Sequence, residues 1–564
     1  LPIPKVMSYQ LDAASGCELP GWSSVSFVRP AHGLLALHGA DVVPVRVLGL
    51  QAGNTTTGHR FEAQVSPVTI ADADSYASTM RTQGAVIASF AERRDCIVQQ
   101  LATAAAQVGH GVRAIEDPAL LDEVTALVER PNVLLCSFEK QYLEVPPECL
   151  ILTMKANQKY FPLLDAQGKL THQFLVVSNI SPADASAVIG GNERVVRPRL
   201  ADAQFFFDQD RKKTLESRVA GLDKVVYHNK LGSQGERSER VRAIAAGILK
   251  LQRGVFELLS GQVNTAARLA KTDLLTDMVG EFPELQGTMG GYYARHDGLG
   301  EAIALAIEDH YKPRFAGDEL PRNGVGVVVA LADKLETLVG MFGIGNLPTG
   351  DKDPFALRRH ALGVVRMLVE KDLPLDLPAL LQSAVPAFGE RIQNPTPALA
   401  DFLYERLAGM LREQGYSTRE VDAVLALRPE RLGDVAKRLQ AVRAFAAMPE
   451  SAALAAANKR ISNILKKADG VDAHVSQVLL LESAEKNLHS AMQTVLPLAQ
   501  THWQAGDYTA SLQSLAQLRG PVDAFFEDVM VHAEQADLRL NRLGLLKSLH
   551  AAMNRVADLS RLVG

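Results

Sequence analysis

After Gly235 the strand-like runs of this chain nearly vanish, and Ala, Leu, Arg and Glu recur at helical spacing as far as Leu562. Apolar side chains three and four residues apart share one stripe of an α-helix, so the larger part of the chain is expected to fold as packed helices. Ahead of that point the pattern is mixed. Runs rich in β-branched residues at 41–48 and 173–178 read as strands, and the periodic stretches 86–108 and 119–130 read as helices. At 564 residues the chain is too long for one core, and roughly 150 residues per domain gives about four. Gly- and Pro-bearing breaks at 232–235, 343–354, 393–397 and 448–450 place boundaries near 235, 375 and 450. The expectation is a multidomain protein: a mixed α/β region over 1–235, then all-α domains over 236–375, 376–450 (a helical linker) and 451–564.

Charge and cysteine usage narrow the class. Lys and Arg number 59 against 64 Asp and Glu, a formal net charge of -5, so the chain is no uniformly basic nucleic-acid coat, and basic faces must be sought locally. Cys17, Cys96, Cys136 and Cys149 form no C-x-x-C pair, which leaves neither a zinc knuckle nor a disulfide framework and points to reduced thiols in a cytoplasmic protein. Apolar runs such as 325–332 end at a charge long before the roughly 20 residues that a membrane span needs. The chain opens Leu1-Pro2-Ile3-Pro4 without Met, and an upstream segment is expected to be missing.

Three motifs bear on chemistry. Gly345-Asn346-Leu347-Pro348-Thr349-Gly350 is followed by Asp351-Lys352-Asp353 where a phosphate loop needs Gly-Lys-Ser/Thr, so Asp353-Pro354 is read as a helix start at 355. His296-Asp297 with Asp333 resembles part of the H…HD…D signature of the HD superfamily, whose metal chemistry needs imidazoles and carboxylates converging from several helices. No His occurs between Arg253 and Arg295 to supply the first ligand, so an HD-like helical domain without metal is expected over 236–375.

The third motif is a cationic face. Seven Lys or Arg stand against Glu450 and Asp469 within 435–470, a local excess able to neutralise RNA phosphates. On a helix Lys459, Asn463, Lys466 and Lys467 share one side with Arg460 beside them, and Ile461, Ile464, Leu465 and Ala468 form the opposite, buried stripe. A second basic stretch carries Arg194, Arg197 and Arg199 around Pro198. Those arginines can grip an anion, and Asp202, Asp208 and Asp210 can equally tie them up.

Long strings across nearly the whole chain resemble the beta subunit of bacterial glycyl-tRNA synthetase, the heterotetrameric alpha2-beta2 type. They include Gly58-His59-Arg60-Phe61, Asn157-Gln158-Lys159-Tyr160-Phe161-Pro162, the Gly191 to Ala203 stretch, Met278-Val279-Gly280-Glu281-Phe282-Pro283-Glu284-Leu285-Gln286-Gly287 and Asp353-Pro354-Phe355-Ala356-Leu357-Arg358-Arg359. Leu518-Arg519-Gly520-Pro521-Val522-Asp523 and Arg555-Val556-Ala557-Asp558-Leu559 are similar to a DALR-like anticodon-binding helical bundle. The family's G-T-E-E-L-P-like opening string does not occur.

The resemblance implies that an alpha subunit uses ATP and Mg²⁺ to make and transfer glycyl-adenylate, while this chain binds and positions tRNA(Gly). No catalytic residue, cofactor or metal is assigned to it, in keeping with the lack of HIGH and KMSKS strings, of a class II arginine set and of G-x-G-x-x-G. Phosphate contacts are assigned to Lys459, Arg460, Lys466 and Lys467 on one helix and to Arg539, Arg542 and Lys547 on another. Arg194, Arg197, Arg199, His296, Asp297 and Asp333 are left as RNA contacts or structural residues. The rival readings are an HD-type metal-dependent phosphohydrolase and a non-enzymatic helical scaffold that binds RNA or protein.

Overall fold

The computed structural model describes residues 5–10, 24–251, 259–468 and 470–562; Cys17 and Asp469 lie outside them. The chain divides into two compact units, Leu1–Asp210 and Arg211–Gly564.

The first unit is built on a four-stranded antiparallel sheet of β1 (Arg113–Ala114), β2 (Asn132–Ser137), β3 (Phe161–Leu164) and β4 (Leu170–Ser178), in the order β1-β3-β4-β2. Leu175 of β4 sits opposite Leu135 of β2 on one side and Phe161 of β3 on the other. Helices α1 (Phe90–Val108) and α2 (Pro118–Leu127) close one face, where Ile97, Leu101, Leu121 and Val124 meet Phe161, Leu163 and Leu175. Both starts are capped: Ser89 accepts from Glu92 N and Asp117 from Leu120 N. Helix α3 (Pro147–Gln158) leads into β3, and the 25-residue α4 (Ser186–Asp210) ends the unit. The run 41–48 does not form the expected strand. It gives only the two-residue pieces Asp41–Val42 and Arg46–Val47, because Pro44 between them has no N–H for a ladder.

Among the described residues the second unit is helical apart from one short hairpin at 226–233 and two isolated β-bridges. It begins at 211 instead of 235 because the segment before α5 (Gln234–Leu251) packs onto the helices: Leu215 N donates to Asp297, and Arg240 donates to the Leu231 carbonyl. Its centre is α9 (Gly324–Gly343), buried along almost its whole length as an all-round apolar helix must be. Around it pack α5, α6 (Ser260–Leu269), α8 (Glu301–Asp309) and α10 (Leu357–Glu370), and α7 (Thr288–His296) lies against α8. Helix α10 begins at Leu357, not at 355. Asp353 does cap it, accepting from Leu357 N at 2.8 Å and Arg358 N at 3.0 Å, but the chain turns once through Ala356 at φ 52° before the helix starts.

The expected boundaries at 375 and 450 are bridged on both sides. Arg431 and Lys437 pair with Asp372, while Arg438 donates to the carbonyls of Arg555 and Val556 at 2.9 Å and Asp558 N donates to Ala423. The segment 376–450 is thus tied to its neighbours on both sides by backbone and ionic contacts. The C-terminal bundle contains α11 (Ser451–Leu465), α12 (Ser483–Gln504), α13 (Arg519–Asp528) and α14 (Ala536–Met553). No helix among the described residues is long and apolar enough to cross a membrane.

Candidate nucleic-acid interface

Helix α11 buries Leu454, Ala457, Asn458 and Ile461 and packs against α13, α14 and the turn Leu559–Leu562. Asn458 is fully enclosed, and its amide exchanges hydrogen bonds of 2.9 and 3.1 Å with Asn554 at the end of α14. Reciprocal satisfaction of the buried Asn458 amide and the half-buried Asn554 amide helps set the rotation of α11 about its axis. That rotation puts Lys459, Arg460, Lys466 and Lys467 in solvent.

The four cations do not make one face. The helix stops at Leu465, so Lys466 is its C-cap and Lys467 lies in the following turn, where the 3.6-residue wheel no longer applies. Lys459, Arg460 and Lys467 line one groove with Asn463, Ile464 and His532. Lys466 lines a second depression with Lys547, His550 and Val471. For the same reason Ile464 and Leu465 are half-buried rather than core: each lines one of the two grooves. Arg460 is held in place, its guanidinium carbon 4.3 Å from the centre of the Phe526 ring, a cation–π contact that lowers the entropy cost of presenting it to a ligand.

The second expected set is not a cationic face. Arg542 is buried and bonds Glu485 at 2.5 Å, and its Nη1 reaches the Met530 carbonyl at 2.7 Å. Glu485 in turn accepts the N–H groups of Leu481 and Glu482 at the start of α12. This pair braces the bundle, and moving Arg542 to a phosphate would strand a buried carboxylate. Arg539 is half-buried with Nη1 on the Ala533 carbonyl at 3.1 Å, and the exposed Lys547 donates to the Val471 carbonyl. In the first unit, Arg194, Arg197 and Arg199 are exposed on α4, and Arg197 bonds Glu139 at 2.5 Å instead of an aspartate of its own helix.

The HD-like residues are engaged separately. His296 is exposed, and Asp297 accepts from Leu215 N at 2.7 Å. Asp333 is buried on α9 between Arg237 Nη2 at 3.0 Å and Lys271 Nζ at 3.2 Å. Burial works against its charge, but Arg237 and Lys271 outweigh that and hold the carboxyl well below the usual range. Burial also pulls Lys271 down to about 7, against the attraction of Asp333. The ammonium rests 3.7 Å from the centre of the Tyr311 ring. Two cations already occupy the carboxylate that a metal would need, and a divalent ion beside them would be repelled. Among the described residues no three His, Cys, Asp or Glu side chains are placed to hold a metal.

Sequence reasoning missed this inner network. Arg237 and Arg240, one helical turn apart on α5, meet Glu336, which stands one turn from Asp333 on α9. The matched i,i+3 spacing of two arginines and two acids was the available signal.

The comparisons fit this arrangement. A family model described as glycyl-tRNA synthetase beta subunit matches residues 1–426, and one described as DALR anticodon binding domain matches 454–559, the bundle that contains α11 and α14. The chain belongs to the glycyl-tRNA synthetase beta subunit family. It is therefore a subunit of an aminoacyl-tRNA synthetase, a ligase. It is 74% identical over 564 residues to the glycine–tRNA ligase beta subunit of Polaromonas naphthalenivorans, 72% identical to that of Delftia acidovorans and 68% identical over 569 residues to that of Dechloromonas aromatica. Each match covers 100% of this chain and 79% of the relative.

Proposed function

We propose that this chain is the tRNA-holding subunit of a glycine–tRNA ligase and that it meets the RNA backbone through the cations at the end of α11. The observation that carries the reading is the exposure of Lys459, Arg460, Lys466 and Lys467 inside the span matched by the anticodon-binding family. Cations on a rigid, packed helix neutralise phosphates and fix register without reading sequence. Lys547 shares the second depression with Lys466 and joins this set, and Arg539 is kept as a further contact; Arg542 is left out, since its charge is spent inside the bundle.

ATP, Mg²⁺ and glycine belong in this reading to an alpha subunit, in an alpha2-beta2 assembly in the cytoplasm. The engaged state of Asp297 and Asp333 supports neither metal binding nor phosphohydrolysis by the HD-like region. The deciding experiment is glycylation of tRNA(Gly) by this chain with and without added alpha subunit, together with glycine-dependent pyrophosphate exchange. The reading requires activity only in the mixture; exchange by the demonstrably alpha-free chain overturns it.

A further inference from the structure

The helical unit contains a cavity among α7, α8, α9 and α10 that the tRNA-holding reading does not use. Its lining carries Lys312, Arg314, Lys334 and Arg359 against Glu284 and Glu308. Most of these charges are already matched. Lys312 lies 3.2 Å from both Asp309 and Glu319, Arg314 lies 3.0 Å from Asp318, and Glu308 is bound by Arg322 at 2.8 Å.

Lys334 and Arg359 are different. Lys334 is 2% exposed, and its ammonium makes one hydrogen bond, 3.0 Å to the Tyr311 carbonyl, with no carboxylate at ion-pair distance among the described residues. An ammonium has three donors, and burying it without a counter-charge is costly. Burial draws it down to about 8 against the attraction of Asp333. Arg359 is exposed and has no ion pair among the described residues. His360, beside it on the lining, has a buried Nδ1 without a hydrogen-bond partner.

The walls are shaped around these groups. A Cβ at Gly363 would come within 2.7 Å of Lys334 Cε, so a larger residue there would have to displace the end of the lysine chain. Gly287, at φ +83°, would with a Cβ meet the Tyr311 ring at 2.8 Å. A compact ammonium, a forked guanidinium and an imidazole that burial keeps neutral, all on one cavity lining, suit an oxyanion with at least three acceptor oxygens.

We propose that this cavity binds a phosphate group, with Lys334 and Arg359 as its two cationic contacts and His360 Nδ1 as a neutral donor. The group comes from a free mononucleotide or from an RNA backbone, since both present the same oxygens. The test is calorimetric titration of the full chain with inorganic phosphate and with AMP, followed by competition with tRNA(Gly). Phosphate is expected to bind the native chain. Arg359→Gln, at an exposed position that folding does not need, should weaken binding at least about tenfold, the loss of one charge-assisted hydrogen bond, and Lys334→Met should abolish it. Release of phosphate by tRNA(Gly) assigns the site to RNA; tighter binding of AMP without such release assigns it to a free nucleotide. Failure of both phosphate and AMP to bind at millimolar concentration, or binding indifferent to Arg359→Gln in a chain of unchanged melting temperature, overturns the proposal. Because the binding of phosphate and AMP is read in the absence of tRNA, failure here leaves the tRNA-holding reading standing.

Discussion

Arg542 on α14 and Glu485 on α12 close an ion pair of 2.5 Å, with side chains 6% and 0% exposed. An arginine at such a position serves the fold, so its replacement should act on stability first and on RNA only through unfolding. Arg542→Met should cost on the order of 3–5 kcal/mol by stranding Glu485, whereas Arg542→Met with Glu485→Gln should recover part of that loss, since an uncharged amide oxygen can still accept the Leu481 and Glu482 N–H groups. Urea unfolding of the two variants measures the difference. A tRNA salt slope that drops in folded Arg542→Met would return Arg542 to the phosphate contacts.

The α11 cations behave in the opposite way. Replacing Lys459, Arg460, Lys466 and Lys467 by Ala should leave the helix intact, since Leu454, Asn458 and Ile461 hold it and Ala is the strongest helix former. tRNA(Gly) affinity should fall, and each phosphate that no longer meets a cation should take away roughly 0.7–0.9 of the slope in log K against log salt. Because the cations divide between two grooves, the Lys459/Arg460/Lys467 triple variant and the Lys466 single variant should have separable effects. Filter binding across a salt series reads them, and an unchanged slope in the folded quadruple variant removes α11 from the interface.

The halves of the chain were legible in the sequence because periodicity is a local property. The stretches around 90–108, 118–127 and 170–178 fall where capping residues and β-branched runs put them. The site was legible as charge but not as geometry. Whether Lys466 and Lys459 share a face depends on where α11 ends, and the segment just beyond that end is held by contacts far away in sequence, Lys547 and Ser548 of α14 donating to the carbonyls of Val471 and Ala473. The fate of Arg542 was hidden for a similar reason. Its partner lies 57 positions away, and an arginine inside a helix looks the same in sequence whether it meets water or Glu485. Pro44 shows the converse: a valine-rich run looked like a strand although one residue lacked the N–H a ladder requires.

An acid-sensitive contact lies at the start of the helix Thr418–Leu425. Arg443 bonds Glu420 at 2.8 Å, and the Ser417 N–H completes a capping box. The Arg443 hydrogen bond, against the burial that opposes it, lowers Glu420 from 4.5 to about 2. A depressed carboxyl contributes stability that is complete above its unfolded value near 4.5 and is lost as pH falls toward 2. Glu420→Gln should therefore be less stable than the native chain at pH 6, by about 1 kcal/mol given the exposure of Arg443, and equal to it near the acid limit. Melting temperatures that keep the same gap at every pH would show that the carboxylate charge is not the source.

Lys271 carries the complementary prediction in the alkaline range. Its ammonium sits between Asp333 and the Tyr311 ring, and burial lowers it from 10.5 to about 7 in the folded chain. Between those two values the unfolded chain keeps the lysine proton and the folded chain releases it, so the unfolded state binds more protons and stability rises with pH. Lys334, lowered by burial to about 8, pushes the same way. Lys271→Met removes the larger of these two contributions while filling most of the same space, and Arg237 continues to compensate Asp333 at 3.0 Å. The native chain should thus gain on the variant steadily from pH 7 to pH 10.5, the interval between the folded and unfolded values. Urea midpoints across that interval measure the gain. Two curves that run parallel would mean that Lys271 keeps its proton throughout and that the Asp333 ion pair, not desolvation, governs this centre.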